Sequence, residues 1–131
     1  MWKRMASVGI SAGALVAAGL LAATPASADS TNYAPNPDGQ ARSGLGQFAS
    51  YGEWFYACDE RPGDGYGVKV NWHVVSNPSN SGSAWAKGDS GACDSSNATI
   101  AEGKQVAYQI CFTKNGSQVA GSCHGWFYDY A

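Results

Sequence analysis

The stretch 66–75, "YGVKVNWHVV", constrains the chain more than any other ten residues. Tyr66, Val68, Val70, Trp72 and Val74 fall on one side of a period of two; Gly67, Lys69, Asn71 and His73 fall on the other. A backbone whose successive side chains point to opposite faces meets that pattern, with one face buried and one wet. "KQVAYQICFTK" repeats it, with Val106, Tyr108, Ile110 and Phe112 inward. Asn115-Gly116 follows at once and reads as the two-residue turn of a hairpin. A last strand is expected within "VAGSCHGWFYDYA". No segment shows a helical period with caps.

The remaining segments are less regular. "QFASYGEWFYAC" is aromatic-rich and strand-like, and "DERPGDG" after it is a turn. "SNPSNSGSAWAKGDSGACDSS" reads as a long polar connection in which Trp85 stands alone, and "ATIAEG" as a short strand. The expected fold is all-β: a small disulfide-stabilised antiparallel β-sandwich of immunoglobulin-like size, with roughly five to seven short strands.

The chain begins with a basic "MWKR", an apolar run, and Ala26 and Ala28 in an A-x-A pattern. Residues 1–28 therefore read as a secretory signal peptide. Residues 29–46 are polar and rich in Pro, Asn, Gly and Ser, and are expected as a flexible N-terminal arm. Residues 47–131 are expected as a single β-sandwich domain. Cleavage removes two of the eight basic residues and none of the ten acidic ones. The six left, Arg42, Arg61, Lys69, Lys87, Lys104 and Lys114, are scattered singly along the sequence. An acidic chain without a basic run argues against nucleic acid, and against an anionic membrane once the leader is gone, as partners.

Four cysteines, Cys58, Cys93, Cys111 and Cys123, read as two disulfides in an exported chain of this size. Their gaps are too wide for a zinc site, and no metal or other cofactor is implied. Three pairings are possible; taken in chain order they are Cys58–Cys93 and Cys111–Cys123. A two-residue turn at Asn115-Gly116 pairs Phe112 with Val119 and Tyr108 with Cys123. Cys111 and Cys123 would then face opposite sides. Bringing them together requires a break in the ladder near Gly121-Ser122.

"KGDSGAC" at 87–93 contains the Gly-Asp-Ser-Gly run of chymotrypsin-like proteases. A nucleophilic Ser90 needs a histidine base and a carboxylate behind it. Between His73 and Ser90 the sole acid is Asp89, the neighbour of the serine. His124 with Asp129 or Asp94 has no supporting spacing. The run is therefore expected as a turn-rich loop, and the protein as no enzyme. Asp59, Glu60 and Asp64 crowd the "CDERPGDG" stretch, but Arg61 and Gly63 occupy positions that a calcium loop gives to ligands. A hairpin turn is the better reading.

The aromatics are the anomaly. "EWFYAC" and "HGWFYDY" each hold three in a row, so at least one ring in each points away from a core. Trp85, Trp126 and Tyr128 are the candidate binding residues on this ground.

"FASYGEWFYACDERPGDGYGVKV", "IAEGKQVAYQICFTKNG" and the later C-x-G-W together resemble a group of small secreted β proteins of filamentous actinobacteria. The resemblance covers most of residues 47–126. It implies a fold and an extracellular address, and supports the Cys111–Cys123 pair. The proteinaceous α-amylase inhibitors of the same bacteria are also small two-disulfide sandwiches, but their Trp-Arg-Tyr contact run is absent here. The expected function is a secreted non-catalytic binding domain for an extracellular protein or a glycan. The alternative is a proteinaceous inhibitor of an extracellular hydrolase, amylase- or protease-inhibitor type, presenting residues 76–91 as a clamped loop.

Overall fold

A computed structural model describes residues 29–131. The expected signal peptide at 1–28 lies outside the described residues. Two antiparallel sheets pack face to face, without a helix among the described residues. The first sheet holds β1 (Ser30–Ala34), β2 (Gly44–Ala49), β3 (Trp54–Asp59) and β6 (Cys93–Asn97), in the order β1-β2-β3-β6. The second holds β5 (Asn77–Ala86), β4 (Gly67–Val74), β7 (Gln105–Lys114) and the two-residue β8 (Ser117–Gln118), with β9 (His124–Tyr130) also paired to β7. The chain lays down three strands in one sheet, crosses for β4 and β5, returns for β6, and crosses again for the rest.

The alternation read at 66–74 is the core. Val68 and Val70 are fully buried, and Val106, Tyr108, Ile110 and Phe112 meet them from β7. Phe48 and Phe55 face them from the other sheet. Phe55 stacks on Trp72 with ring centroids 4.7 Å apart and planes 1° from parallel, which ties the sheets across the core. Gly44 and Gly46 take the other inward positions of β2. A Cβ on Gly46 would sit 2.7 Å from Ile110, and one on Gly44 2.9 Å from Phe112. Their missing side chains let β2 lie close over β7.

Several expectations are corrected. Residues 29–46 are no arm: they carry β1 and the first residues of β2. β1 is held by its ladder to β2 and by Tyr108, whose buried hydroxyl meets Ser30 Oγ at 2.9 Å and accepts from Asn32 Nδ2 at 2.8 Å. The loop after β1 is closed by buried Asn36, whose Oδ1 accepts from the Asp38 and Gln40 N–H groups. The run at 47–58 is a hairpin rather than one strand, turning at 50–53. The polar "connection" at 76–96 contains β5 and β6. Small inward residues hide β5 from a periodicity search: Ala84 and Ala86 are buried, and Gly82 lies under the Trp72 indole, where a Cβ would meet Cζ2 at 2.8 Å. "ATIAEG" is not a strand, although Ala98 and Ile100 are buried in the core.

Both disulfides form in chain order, Cys58–Cys93 and Cys111–Cys123. Cys58 and Cys93 are directly opposed on β3 and β6. The Asn115-Gly116 turn sets Thr113 opposite Gln118 and Lys114 opposite Ser117. Beyond it the register changes, so that Ile110 lies opposite His124. The break falls where Gly121 takes a positive φ of 75°, and it brings Cys111 and Cys123 to the same side. Ser122 repairs the ladder there: its Oγ accepts the Phe112 N–H at 3.0 Å, and its hydroxyl lies 2.7 Å from the Val119 carbonyl.

Candidate functional site

The three aromatic candidates come to one surface, the outer face of the β5-β4-β7-β9 sheet. Trp85 lies opposite Lys69 on β4, and its neighbours Ala84 and Ala86 point inward, so its indole is on the outside. Tyr128 lies opposite Ala107, and Tyr130 opposite Gln105, on the same side. Trp126 reaches over this face to His73, with ring centroids 4.8 Å apart in an edge-to-face contact. Trp126 is 41% exposed and Tyr128 58%, while Trp85 is half-buried. Phe127, between them in sequence, packs inward against Tyr108.

Polar groups fill the space between the rings. Asn71 Nδ2 donates to Gln118 Oε1 at 3.3 Å, and both amides lie against the Cys111–Cys123 cystine. Ser81 and Ser83 line the face from β5, opposite His73 and Asn71. Lys69 and His73 lie four residues apart on β4, so the Trp85 and Trp126 ends of the face are ~13 Å apart.

Trp85 is fixed on three sides. Its Nε1 donates to Thr113 Oγ1 at 3.0 Å, and its backbone N–H to Asp94 Oδ2 at 2.9 Å. The Lys69 and Lys87 ammoniums lie 5.2 and 4.8 Å from its ring centroid. Lys114 lies 5.3 Å from the ring of Tyr66, which packs inward on Phe112. The basic residues are therefore not scattered in space: half of the six meet at this end of the sheet. β5, β4 and β7 are neighbours, and Lys87, Lys69 and Lys114 all lie near the same ends of these strands. Only strand order reveals that. The outward phase of Lys69 was readable, but the strand identity of 77–86 was not.

The loop holding Ser90 has another task. Asp89 Oδ1 accepts from the Gly63 and Asp64 N–H groups at 2.8 and 3.2 Å, and Oδ2 from Gly65 N–H at 2.6 Å. One carboxylate thus closes the "RPGDG" turn. Burial pushes Asp89 upward, but these backbone N–H bonds outweigh it and hold the carboxyl below the usual carboxylate range. Ser90 is exposed, and His73 lies at the far end of β4 from it, against Trp126. His124 sits on β9 opposite Ile110. The expected clamped loop at 76–91 is strand as far as Ala86, leaving 87–92 as the loop.

Asp59, Asp64 and Asp89 place one oxygen each within 4.8 Å of one another, the one such acidic group among the described residues. Their oxygens already receive protein donors. Asp59 accepts from the Arg61 and Gly91 N–H groups, and Asp64 from Tyr66 N–H and Asn36 Nδ2. Burial pushes Asp59 above the usual carboxylate range, the Arg61 and Gly91 bonds oppose it, and the charges of Asp64 and Asp89 add to it. The cluster ties three loops together at one end of the sandwich.

No protein family, curated protein or solved structure matches this chain. No helix among the described residues is long and apolar enough to cross a membrane.

Proposed function

We propose that this is a secreted, non-catalytic binding domain that recognises a glycan on the outer face of the β5-β4-β7-β9 sheet. The observation that carries the reading is the sharing of that face by Trp85, Trp126 and Tyr128. They arise from β5 and β9, the two flanks of the sheet, with side-chain amides and hydroxyls between them. A sugar offers apolar C–H faces for rings and hydroxyls for amides, and this surface offers both. A protein partner is favoured by a dry apolar centre, whereas the centre here holds Asn71, Gln109 and Gln118 around a cystine. The two disulfides and the leader-like first 28 residues support an extracellular address.

The test is a binding screen on neutral and acidic polysaccharides with three variants. Trp126→Ala and Tyr128→Ala are expected to weaken retention about tenfold or more. Trp54→Ala, on the opposite sheet, is expected to leave it unchanged. Failure of every polysaccharide to retain the wild-type protein, or equal losses for Trp54→Ala, would reject the reading.

A further inference from the structure

We infer that the Trp85 end of this face selects an anionic sugar, a hexuronate unit of an acidic polysaccharide. The inference rests on the glycan reading above and narrows it. A groove of 330 Å³ opens beside Trp85, with Lys87, Thr113, Lys114 and Asn115 among its walls. That volume is at the small end for a ligand site and matches one ring rather than a folded epitope.

Acids outnumber bases after residue 28, yet Lys69, Lys87 and Lys114 gather here. Among the described residues none of the three ammoniums has a carboxylate within 4.0 Å; each lies over an aromatic ring instead. Four acids stand near, Asp59, Asp64, Asp89 and Asp94, and their oxygens are taken up by other donors. Asp89 also lines the groove, but its oxygens are held by the Gly63–Gly65 N–H groups, and Asp94 accepts the Trp85 N–H. A hydrogen-bonded carboxylate keeps its charge, so what marks this groove is its ammonium N–H donors, which no carboxylate within 4.0 Å holds.

The Trp85 indole is anchored through Nε1, so a sugar ring would meet a platform already oriented. To stack there, a sugar displaces the ammoniums now lying over the ring. A neutral sugar removes those cation–π contacts and returns only uncharged hydroxyl acceptors to the lysines. A hexuronate returns a carboxylate to them, as a charge-assisted hydrogen-bond acceptor. The same geometry that binds the acid thus penalises the neutral sugar. Chain continuing from the groove runs past Asn71 and Gln118 toward Trp126.

Calorimetric titration of the protein with an oligogalacturonate, a cello-oligosaccharide of equal length and a glycerol-phosphate oligomer tests this. The oligogalacturonate is expected to bind at least about tenfold tighter than the neutral oligomer, and added salt is expected to weaken it. Lys87→Gln combined with Lys114→Gln is expected to abolish that preference, by weakening the oligogalacturonate and by lifting the penalty on the neutral oligomer, while leaving the melting temperature unchanged. Equal affinities for the acidic and neutral sugars, or a preference that survives both substitutions, overturns the inference and leaves the glycan reading standing. Tighter binding of the phosphate oligomer overturns the hexuronate assignment. Binding of none of the three, together with an empty polysaccharide screen, removes both readings.

Discussion

The two outer faces of the sandwich are built from similar parts. The β1-β2-β3-β6 sheet turns Tyr33, Trp54, Tyr56 and the Cys58–Cys93 cystine outward. The other sheet turns out Trp85, Trp126, Tyr128 and the Cys111–Cys123 cystine. They differ in what the rings meet. On the first face Trp54 stacks on Tyr56 at 6.4 Å, and the Arg42 guanidinium lies 3.6 Å over Tyr33, so rings satisfy rings or the nearest cation. On the second, lysines without acid partners, amides and a histidine stand among the rings. Aromatic abundance covers both sheets; the lysines and amides standing among the rings single out one.

The largest expected effect tests the stapling of each face. The Cys58–Cys93 bond spans 35 residues and the Cys111–Cys123 bond 12. Loop-closure entropy gives ~3.8 kcal/mol for the first and ~2.8 kcal/mol for the second. Paired Cys→Ala substitutions, compared by urea denaturation, are expected to show the first face losing more by ~1 kcal/mol. A larger loss at Cys111–Cys123 would mean that the register break depends on that bond.

The break itself gives the next effect. Ser122→Ala leaves the buried Phe112 N–H without its acceptor and is expected to cost about 1–3 kcal/mol. The same denaturation series measures it, and a loss below about 0.5 kcal/mol would show that the strand closes without the hydroxyl.

Substitutions at the rings sharpen the contrast further. Trp54→Ala and Trp126→Ala each expose a partner ring and are expected to cost only ~1 kcal/mol in stability. The difference is expected in binding, where Trp126→Ala alone has an effect. Equal behaviour in both assays would mean that the faces are interchangeable.

The smallest effect is in the pH dependence. Asp59 is raised in the fold, so it favours folding as pH falls through its folded value toward its unfolded value of about 3.9. Asp89 is lowered, so its contribution is present above about pH 3.9 and lost as pH falls further. Melting temperature is expected to rise slightly on mild acidification and then fall. Asp59→Asn is expected to remove the rise, and Asp89→Asn to blunt the fall. A monotonic profile in the wild-type protein would contradict the opposed signs.

What was legible in the sequence was what side-chain chemistry writes in a period of two. The faces of β4 and β7, the Asn115-Gly116 turn and the need for a break near Gly121-Ser122 all follow from apolar alternation and turn residues. β1 was not legible, because Ser30 and Asn32 hold it through the Tyr108 hydroxyl rather than through apolar burial. β5 was hidden because its inward positions are small and a neighbouring indole fills one of them. The aromatic candidates were visible as an excess of rings. The lysines around them were not, since they meet through the order β5-β4-β7 and not through sequence spacing.

Cys58–Cys93 joins β3 to β6, Cys111–Cys123 joins β7 to the residue just before β9, and neither crosses the core. The Cys58–Cys93 bond encloses both strands of the β4–β5 hairpin, which lie in the opposite sheet. An oxidised chain therefore enters folding with its costliest excursion already closed into a ring. Pairing β3 with β6 then calls for no long search, and a hairpin formed inside the ring has only to dock. A reduced chain must find the same contact across 35 residues. For such a chain, oxidation before folding shortens the search that brings β3 to β6.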